Sequence, residues 1–594
     1  MRRVRSLFFA AALCVSCAPS SAPKSVLLIT LDTTRADRIG CYGRPNAGTD
    51  NIDALAARGL FFERALTPVP LTLPAHASLM TASPPPYHGV RDNGLFVVDE
   101  RLETLAERLR AEGLTTAAFI SAFPLESQFG LDQGFAVYDE QSLSSVSAET
   151  MHERRGDEVV SSALAWLGNL EDDEPFFLWV HLFDPHFPYA PPAPFDERFR
   201  GDAYQGEIAF ADSQVGRLFE ALDRAGRTDS TLVAVTADHG ESLGEFGEVS
   251  HGHLLYDGTQ HIPMVLAGPG VPAVGAVGGS VGLVDLAPTL LELLGLEPGA
   301  FTSHGGRSLA ADLASAQVPA APVYLESIYP RLHDGWSELY GIESAGWKYV
   351  VAPGAQSEDG APAAELFDLR SGETRDLIAT EPARAAKLAA MLTGLRKSLT
   401  AAPPFASRPG LTSDGSGSDA LAALESLGYV GLDLEAVATD LPGLDPRRVI
   451  HAAVAANHLR SYLERKDLVH ADAKLTEIEA LDPDGILAAE SRALLALARG
   501  DLDAALLSLT RATDLAPGRR GLWQRRAEVE RSKGDLVAAL QSAHKAYTLA
   551  PPTERIKVLW SQLEREAEAS QDIEVQAAFH ALEEATQSSS SPPR

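Results

Sequence analysis

The chain has 594 residues, of which 45% are apolar and 22% charged, and it carries a formal net charge of −31. A chain of this size and composition supports more than one folded, soluble domain. Its acidity repels polyanions over the whole surface, which argues against nucleic acid as a partner and requires any anionic substrate to find a locally positive, metal-bearing site.

The first residues, Met1-Arg2-Arg3-Val4-Arg5, precede an apolar run from Leu7 to Val15 and small residues around Cys17. This is the layout of a secretory signal, predicted here over residues 1–17, and the run is too short to span a bilayer. Val15-Ser16-Cys17 also resembles the cleavage box of a bacterial lipoprotein, although Cys14 stands where leucine is usual, so lipidation of Cys17 and plain secretion both stay open. Either way the protein is expected to be exported to a periplasmic or cell-envelope site, with membrane contact only through such an anchor. Of its three cysteines only Cys17 and Cys41 would survive processing, which leaves no disulfide framework and no thiolate metal site.

Ser25 to Leu31 is a continuous run of branched apolar residues ending in Asp32, the pattern of a strand buried on both faces of a parallel sheet. Phe176 to Phe183 and Thr231 to Asp238 repeat it, and amphipathic segments at 53–58, 102–112 and 157–170 lie between them. The fold class is therefore α/β, a mostly parallel sheet between helices over residues 25–322. Ligands of such sheets bind at the carboxyl ends of the strands, so Asp32, the cluster His181, Asp184 and His186, and the pair Asp238-His239 are expected to converge.

Short alternating runs from Val323 and an alanine- and lysine-rich helix to about residue 400 predict a small antiparallel subdomain. A Pro-, Gly- and Ser-rich linker follows over 401–446, with a second break at Asp440-Leu441-Pro442-Gly443. Residues 447–586 are nearly all helix formers and repeat: Asp467-Leu468, Asp501-Leu502 and Asp535-Leu536 recur every 34 residues, the period of tetratricopeptide repeats. Gly500-Asp501 and Gly534-Asp535 mark turns within helix pairs, and Ala504-Ala505 and Ala538-Ala539 sit where helices approach closely. This all-α solenoid predicts either a protein partner on its concave face or a spacer and dimerisation scaffold.

The stretch Pro70-Leu71-Thr72-Leu73-Pro74-Ala75-His76 reads as a held nucleophile. Phosphate and sulfate esters repel an incoming nucleophile, and a metal ion overcomes this by lowering a hydroxyl pKa and neutralising transition-state charge. Asp32, Asp238 and His239 would form one divalent cation site with the Thr72 oxygen as a further ligand. His181, His186, His251 and His253 are candidates for contacts to substrate oxygens or for protonating the leaving group. His76, and Arg91 and Asn93 in Tyr87-His88-Gly89-Val90-Arg91-Asp92-Asn93, are candidates to contact an anionic substrate, whereas His88 closes a turn and His261 is structural.

Leu31-Asp32-Thr33-Thr34-Arg35-Ala36-Asp37, the threonine stretch, Phe183-Asp184-Pro185-His186-Phe187-Pro188-Tyr189 and Thr236-Ala237-Asp238-His239-Gly240-Glu241 occur in one order. In these motifs, and in the later Glu365-Leu366-Phe367-Asp368-Leu369, residues 25–399 resemble the sulfatase-like branch of the alkaline phosphatase superfamily. The resemblance implies that Asp32, Asp238 and His239 are the metal ligands, Thr72 the nucleophile position, and the His181 to His186 segment, Asp184 included, with His251 or His253, the substrate contacts.

The departures are informative. Sulfatases of the family carry at this position a cysteine or serine oxidised to formylglycine, then proline and arginine; here a threonine, whose oxidation would give a ketone, stands there, and His76 replaces the arginine. Thr33 and His239 replace an aspartate and an asparagine of the family's oxygen-rich calcium site. Fewer carboxylates and an added imidazole favour Zn2+ or Mn2+ over Ca2+, with a second metal left open. The combination favours an exported hydrolase or transferase of phosphate-type esters, small or borne on a glycan or lipid, over a sulfatase acting without formylglycine. The third reading is a degenerate hydrolase domain whose repeats bind protein.

Overall fold

A computed structural model describes residues 23–94, 96–141, 154–357, 360–400, 442–549 and 554–589. The predicted signal, with Cys14 and Cys17, and the 401–441 part of the linker lie outside the described residues. Among the described residues no helix is long and apolar enough to cross a membrane.

The core is a nine-stranded sheet built from β1 (Ser25–Leu31), β2 (Leu60–Leu66), β3 (Thr115–Phe119), β4 (Val137–Asp139), β5 (Phe176–Leu182), β6 (Thr231–Ala237), β7 (His261–Ile262), β8 (Met264–Ala267) and β9 (Gly275–Gly282). Its order is β4-β3-β5-β1-β6-β8-β2-β7, with β9 on β2; the block from β4 to β6 is parallel and β8 runs antiparallel to β6. The three apolar runs singled out in the sequence are β5, β1 and β6, the three adjacent central strands. Alternation along β1 divides its side chains between two cores. Val26 and Leu28 enter one, with Leu73, Leu79, Leu105 and Leu290 from helices on that face. Leu27, Ile29 and Leu31 enter the other, with Ile52, Val160, Ile208 and Val215 from the helices Asp50–Arg58, Gly156–Leu167 and Ala203–Arg224. Burial on both faces is the reason the strand has no polar alternation.

Residues β10 (Val323–Ser327), β11 (Leu339–Ser344), β12 (Trp347–Gln356) and β13 (Pro362–Asp368) form an antiparallel sheet in that order. The helix Pro382–Thr400 covers it through Leu388 and Leu392 against Tyr324, Ile342 and Leu366.

The C-terminal region is all helical. Its helices Pro446–Glu464, Leu468–Leu481, Ile486–Arg499, Leu502–Leu515, Arg520–Ser532 and Leu536–Leu549 pair in sequence order. The recurring aspartates are N-caps of the second helix in each pair: Asp467 accepts from His470 N, Asp501 from Ala504 N and Asp535 from Ala538 N. One turn later Ala471, Ala505 and Ala539 are fully buried, where a larger side chain would separate the paired helices.

Leu28 is fully buried in the central strand, so Leu28→Ala should cost about 2–5 kcal/mol in denaturant unfolding, whereas Asp501→Ala, which removes one cap, should cost about 1 kcal/mol.

Candidate active site

The parallel register determines where the chemistry-bearing residues emerge. Leu31 stands opposite Leu182 on one side and Ala237 on the other, so Asp32 and Asp238 leave adjacent strands side by side. Immediately after Asp32 the backbone of Thr33 turns left-handed, φ 47°, a conformation costly for a β-branched residue. The turn aims Thr33 N at Asp238 Oδ1 (3.2 Å), and Tyr204 Oη holds it by donating to Thr33 O (2.6 Å). The Thr33 hydroxyl donates to Pro185 O, so it faces away from the carboxylates.

Asp32, Asp238 and His239 bring their donor atoms within 4.8 Å of one another, the one such group of three or more His, Cys, Asp or Glu side chains among the described residues. Both Asp32 oxygens and Asp238 Oδ2 are buried without a hydrogen-bond partner among the described residues. Burial pushes the Asp32 carboxyl up to about 7, His239 pulling the other way; burial and then the neighbouring Asp32 push Asp238 to about 7 as well. His239 Nδ1 donates to Gly240 O (2.9 Å), which leaves the Nε2 lone pair 3.6 Å from Asp238 Oδ2 and 3.9 Å from Asp32 Oδ1. A divalent cation answers all of these groups at once, and the donor set fits one.

Proton counting behind the triad supports this. Burial pushes His76 down to about 3, so its ring is neutral, and Nδ1, 2.8 Å from the Thr72 carbonyl, must carry the proton. Its Nε2 then accepts from Thr30 Oγ1 (3.1 Å), which uses the only hydroxyl proton. Thr30 Oγ1 accepts from Trp179 Nε1 (3.0 Å) and from His181 Nδ1 (3.1 Å). His181, pushed by burial to about 4, therefore presents an Nε2 lone pair to Asp32 Oδ2 at 3.5 Å. Two acceptors facing each other in a dry site call for a positive charge between or beside them.

Thr72 opens the helix Thr72–Thr81, with its Oγ1 3.5 Å from His239 Nε2. The helix start directs backbone N–H groups and positive potential toward this hydroxyl, which favours its alkoxide. On the far side, Glu241 is buried with its carboxyl pushed by burial to about 7; Tyr189 Oη donates to Oε2 (3.0 Å) and His251 Nδ1 to Oε1 (3.1 Å). The His251 ring lies 4.4 Å from that of His239 and 5.5 Å from that of His186. His186 stacks on Phe183 and donates Nδ1 to Phe187 O (2.7 Å). Burial lowers His251 well below the usual range and His186 to about 3, so both present neutral Nε2 lone pairs.

Several residues assigned from sequence are engaged elsewhere. His253 is held in an ion cluster: burial would lower it, but Asp334 (3.0 Å) and Glu248 raise it to about 9, and its Nε2 faces Asp334. Asp184 accepts from Gly156 N (2.8 Å) and caps the helix Gly156–Leu167. Arg91 pairs with the buried Glu326 at 3.1 Å. Asn93 Oδ1 accepts from Leu73 N (2.8 Å), tying down the nucleophile helix. His76 reaches Thr72 through its carbonyl and sits 3.7 Å from Asp238 Oδ2, a supporting position. Glu241 is a site residue whose one signal in the sequence is its place two residues after His239.

Residues 24–296 match the family model described as Sulfatase. Over this stretch, somewhat less than half of the 594 residues, the chain is similar to that family. The domain is similar to the ulvan-active sulfatase of Formosa agariphila, 26% identical over 314 residues, a match that spans 45% of this chain and 61% of that protein. Human arylsulfatase A is 27% identical over 362 residues, 52% of this chain and 71% of the enzyme. Among solved structures, the phosphonate monoester hydrolase of Agrobacterium radiobacter superposes with a TM-score of 0.52 at 23% identity, covering 64% of this chain and 96% of that one.

The raised pKa of Asp32 and Asp238 yields a signed pH prediction. Their contribution to the stability of metal-free protein is present at low pH and lost as pH rises through about 7, whereas cation binding requires the deprotonated forms. The Tm increase produced by Mn2+ should therefore grow from pH 6 to pH 8 in thermal denaturation, and Asp238→Asn should abolish most of it.

Proposed function

We propose that the protein is an exported, metal-dependent hydrolase of phosphate-type esters, with Thr72 as nucleophile. The observation that carries this reading is a plain threonine hydroxyl at a helix start, 3.5 Å from His239 Nε2 and beside the buried acidic pair. A threonine side chain yields no aldehyde on oxidation, so the formylglycine route does not apply to it.

Asp32, Asp238 and His239 would hold the cation, and two carboxylates with one imidazole favour Zn2+ or Mn2+. When bound, it supplies positive charge that acidifies a neighbouring hydroxyl and offsets charge in the transition state. Thr72 gives up its hydroxyl proton to solvent as Oγ1 attacks the phosphorus in line, the ester oxygen departs with a proton taken from solvent, and a threonine phosphoester remains. Water then attacks this ester, and the Nε2 lone pairs of His251 and His186 accept hydrogen bonds from it and orient it. Free phosphate or phosphonate leaves and the Thr72 hydroxyl is restored. The start of the nucleophile helix and its tie to Asn93 hold Oγ1 in place through both steps.

A sulfuric ester hydrolase is the second reading, favoured by the names of the sequence relatives. The helical region, with its 34-residue period and capped pairs, is proposed to be a tetratricopeptide array that offers a protein-binding face.

Purified protein loaded with Zn2+ or Mn2+ should turn over an aryl phosphate, phosphodiester or phosphonate faster than an aryl sulfate, and Thr72→Ala should lower kcat at least about a hundredfold. Best turnover of the sulfate, with full activity in Thr72→Ala, would overturn the nucleophile assignment.

A further inference from the structure

The helical region meets the hydrolase domain at the loops that frame the site. Its first helix, Pro446–Glu464, is anchored by Arg447, which pairs with Asp445 and donates to the carbonyl of Ala363 (2.9 Å) on β13. Just before it, Leu444 O accepts from Ser337 N (2.8 Å) and Gly443 N donates to Gly354 O (2.9 Å). Farther along, Ile450 and His451 lie directly on Gly247: a Cβ there would sit 2.6 Å from His451 Cε1. Gly247 belongs to the loop between Glu241 and His251, closed on itself by Ser242 N to Ser250 O (3.0 Å) and Gly244 N to Glu248 O (2.9 Å).

A second contact is polar and buried. Asp482, at the end of Leu468–Leu481, accepts from Trp336 Nε1 at 2.8 Å. The Trp336 ring lies 6.1 Å from that of His253, which Asp334 and Glu248 hold. Three residues before Trp336, His333 Nε2 is 2.7 Å from Asp92 Oδ2, and the next residue, Asn93, holds Leu73 N beside Thr72. Leu254, Leu255, Tyr256 and Trp336 share one apolar core with Ile450 and Ile478. A tethered, independent module would bury no such core with the loops.

We propose that the first two helices of the C-terminal region are part of the hydrolase site. Asp482 is a positioning residue: through Trp336 it fixes the 329–336 segment, which in turn fixes the loop ending in His251 and, through Asp92, the segment that holds the nucleophile helix. Ile450 and His451 brace the same His251 loop from behind. Removal of either brace loosens the groups around Thr72 without touching the strands that carry Asp32 and Asp238. This inference rests on the hydrolytic reading of the Thr72 site.

Full-length Trp336→Phe, Asp482→Leu and Asp482→Asn test it by hydrogen exchange and steady-state kinetics. In the first two, amides of 243–254 and 329–337 should exchange at least about tenfold faster while β1 and β6 keep parent rates. Their kcat should fall about ten- to a hundredfold with KM within about twofold, as expected for misplaced groups. Asp482→Asn should keep near-parent values, because its amide oxygen accepts the same indole N–H. Parent exchange rates in both loops, or a lowered Tm with kcat unchanged, would overturn the positioning role. A parent protein that turns over no ester would instead sink the hydrolytic reading, and the exchange data would then decide the docking alone.

Discussion

The register of β1 against β6, Leu31 opposite Ala237, puts Asp32 and Asp238 side by side where neither carboxylate reaches water. Two like charges in a dry site are costly, and the groups that offset them there are histidines: His239 for Asp32, and His76 and His181 for Asp238. Much of the surrounding structure can be understood as preparation for a cation. Thr33 accepts a left-handed backbone to offer an N–H to Asp238, and Gly240 O fixes His239 so that Nε2 faces inward.

A second layer determines protonation. The Thr30 hydroxyl has one proton to give, and the Thr72 carbonyl decides through His76 where it goes. That choice propagates to His181 and leaves its lone pair on Asp32. His76, which stands where the family resemblance places an arginine, thus helps to define the charge state of the site from behind the nucleophile without adding a charge of its own. Glu241 plays a corresponding part on the opposite side by fixing the tautomer of His251.

Much of this was legible in the chain. A strand buried on both faces must be apolar throughout, so β1, β5 and β6 are visible as runs, and an acidic residue closing two of them stands out against that background. The helical pairs were equally readable, because an N-cap aspartate and a small residue one turn later are local requirements that recur with each pair. Histidines and charged residues near the motifs were harder. His253, Arg91 and Asp184 carry the right chemistry, yet their partners Asp334, Glu326 and Gly156 lie far away in sequence, and those partners consume them in ion pairs or a helix cap.

The sequence by itself determined the α/β core, the acidic strand ends, the hydroxyl at Thr72 and the repeat period, since each depends on local pattern or on residue chemistry. Tertiary structure decided which titratable groups face the site, how their protons are distributed, and that the helical region shares a core with the loops around it. Hydrogen-bond partners and burial are set by contacts between distant segments, and a buried group's charge follows from those contacts rather than from its neighbours in the chain.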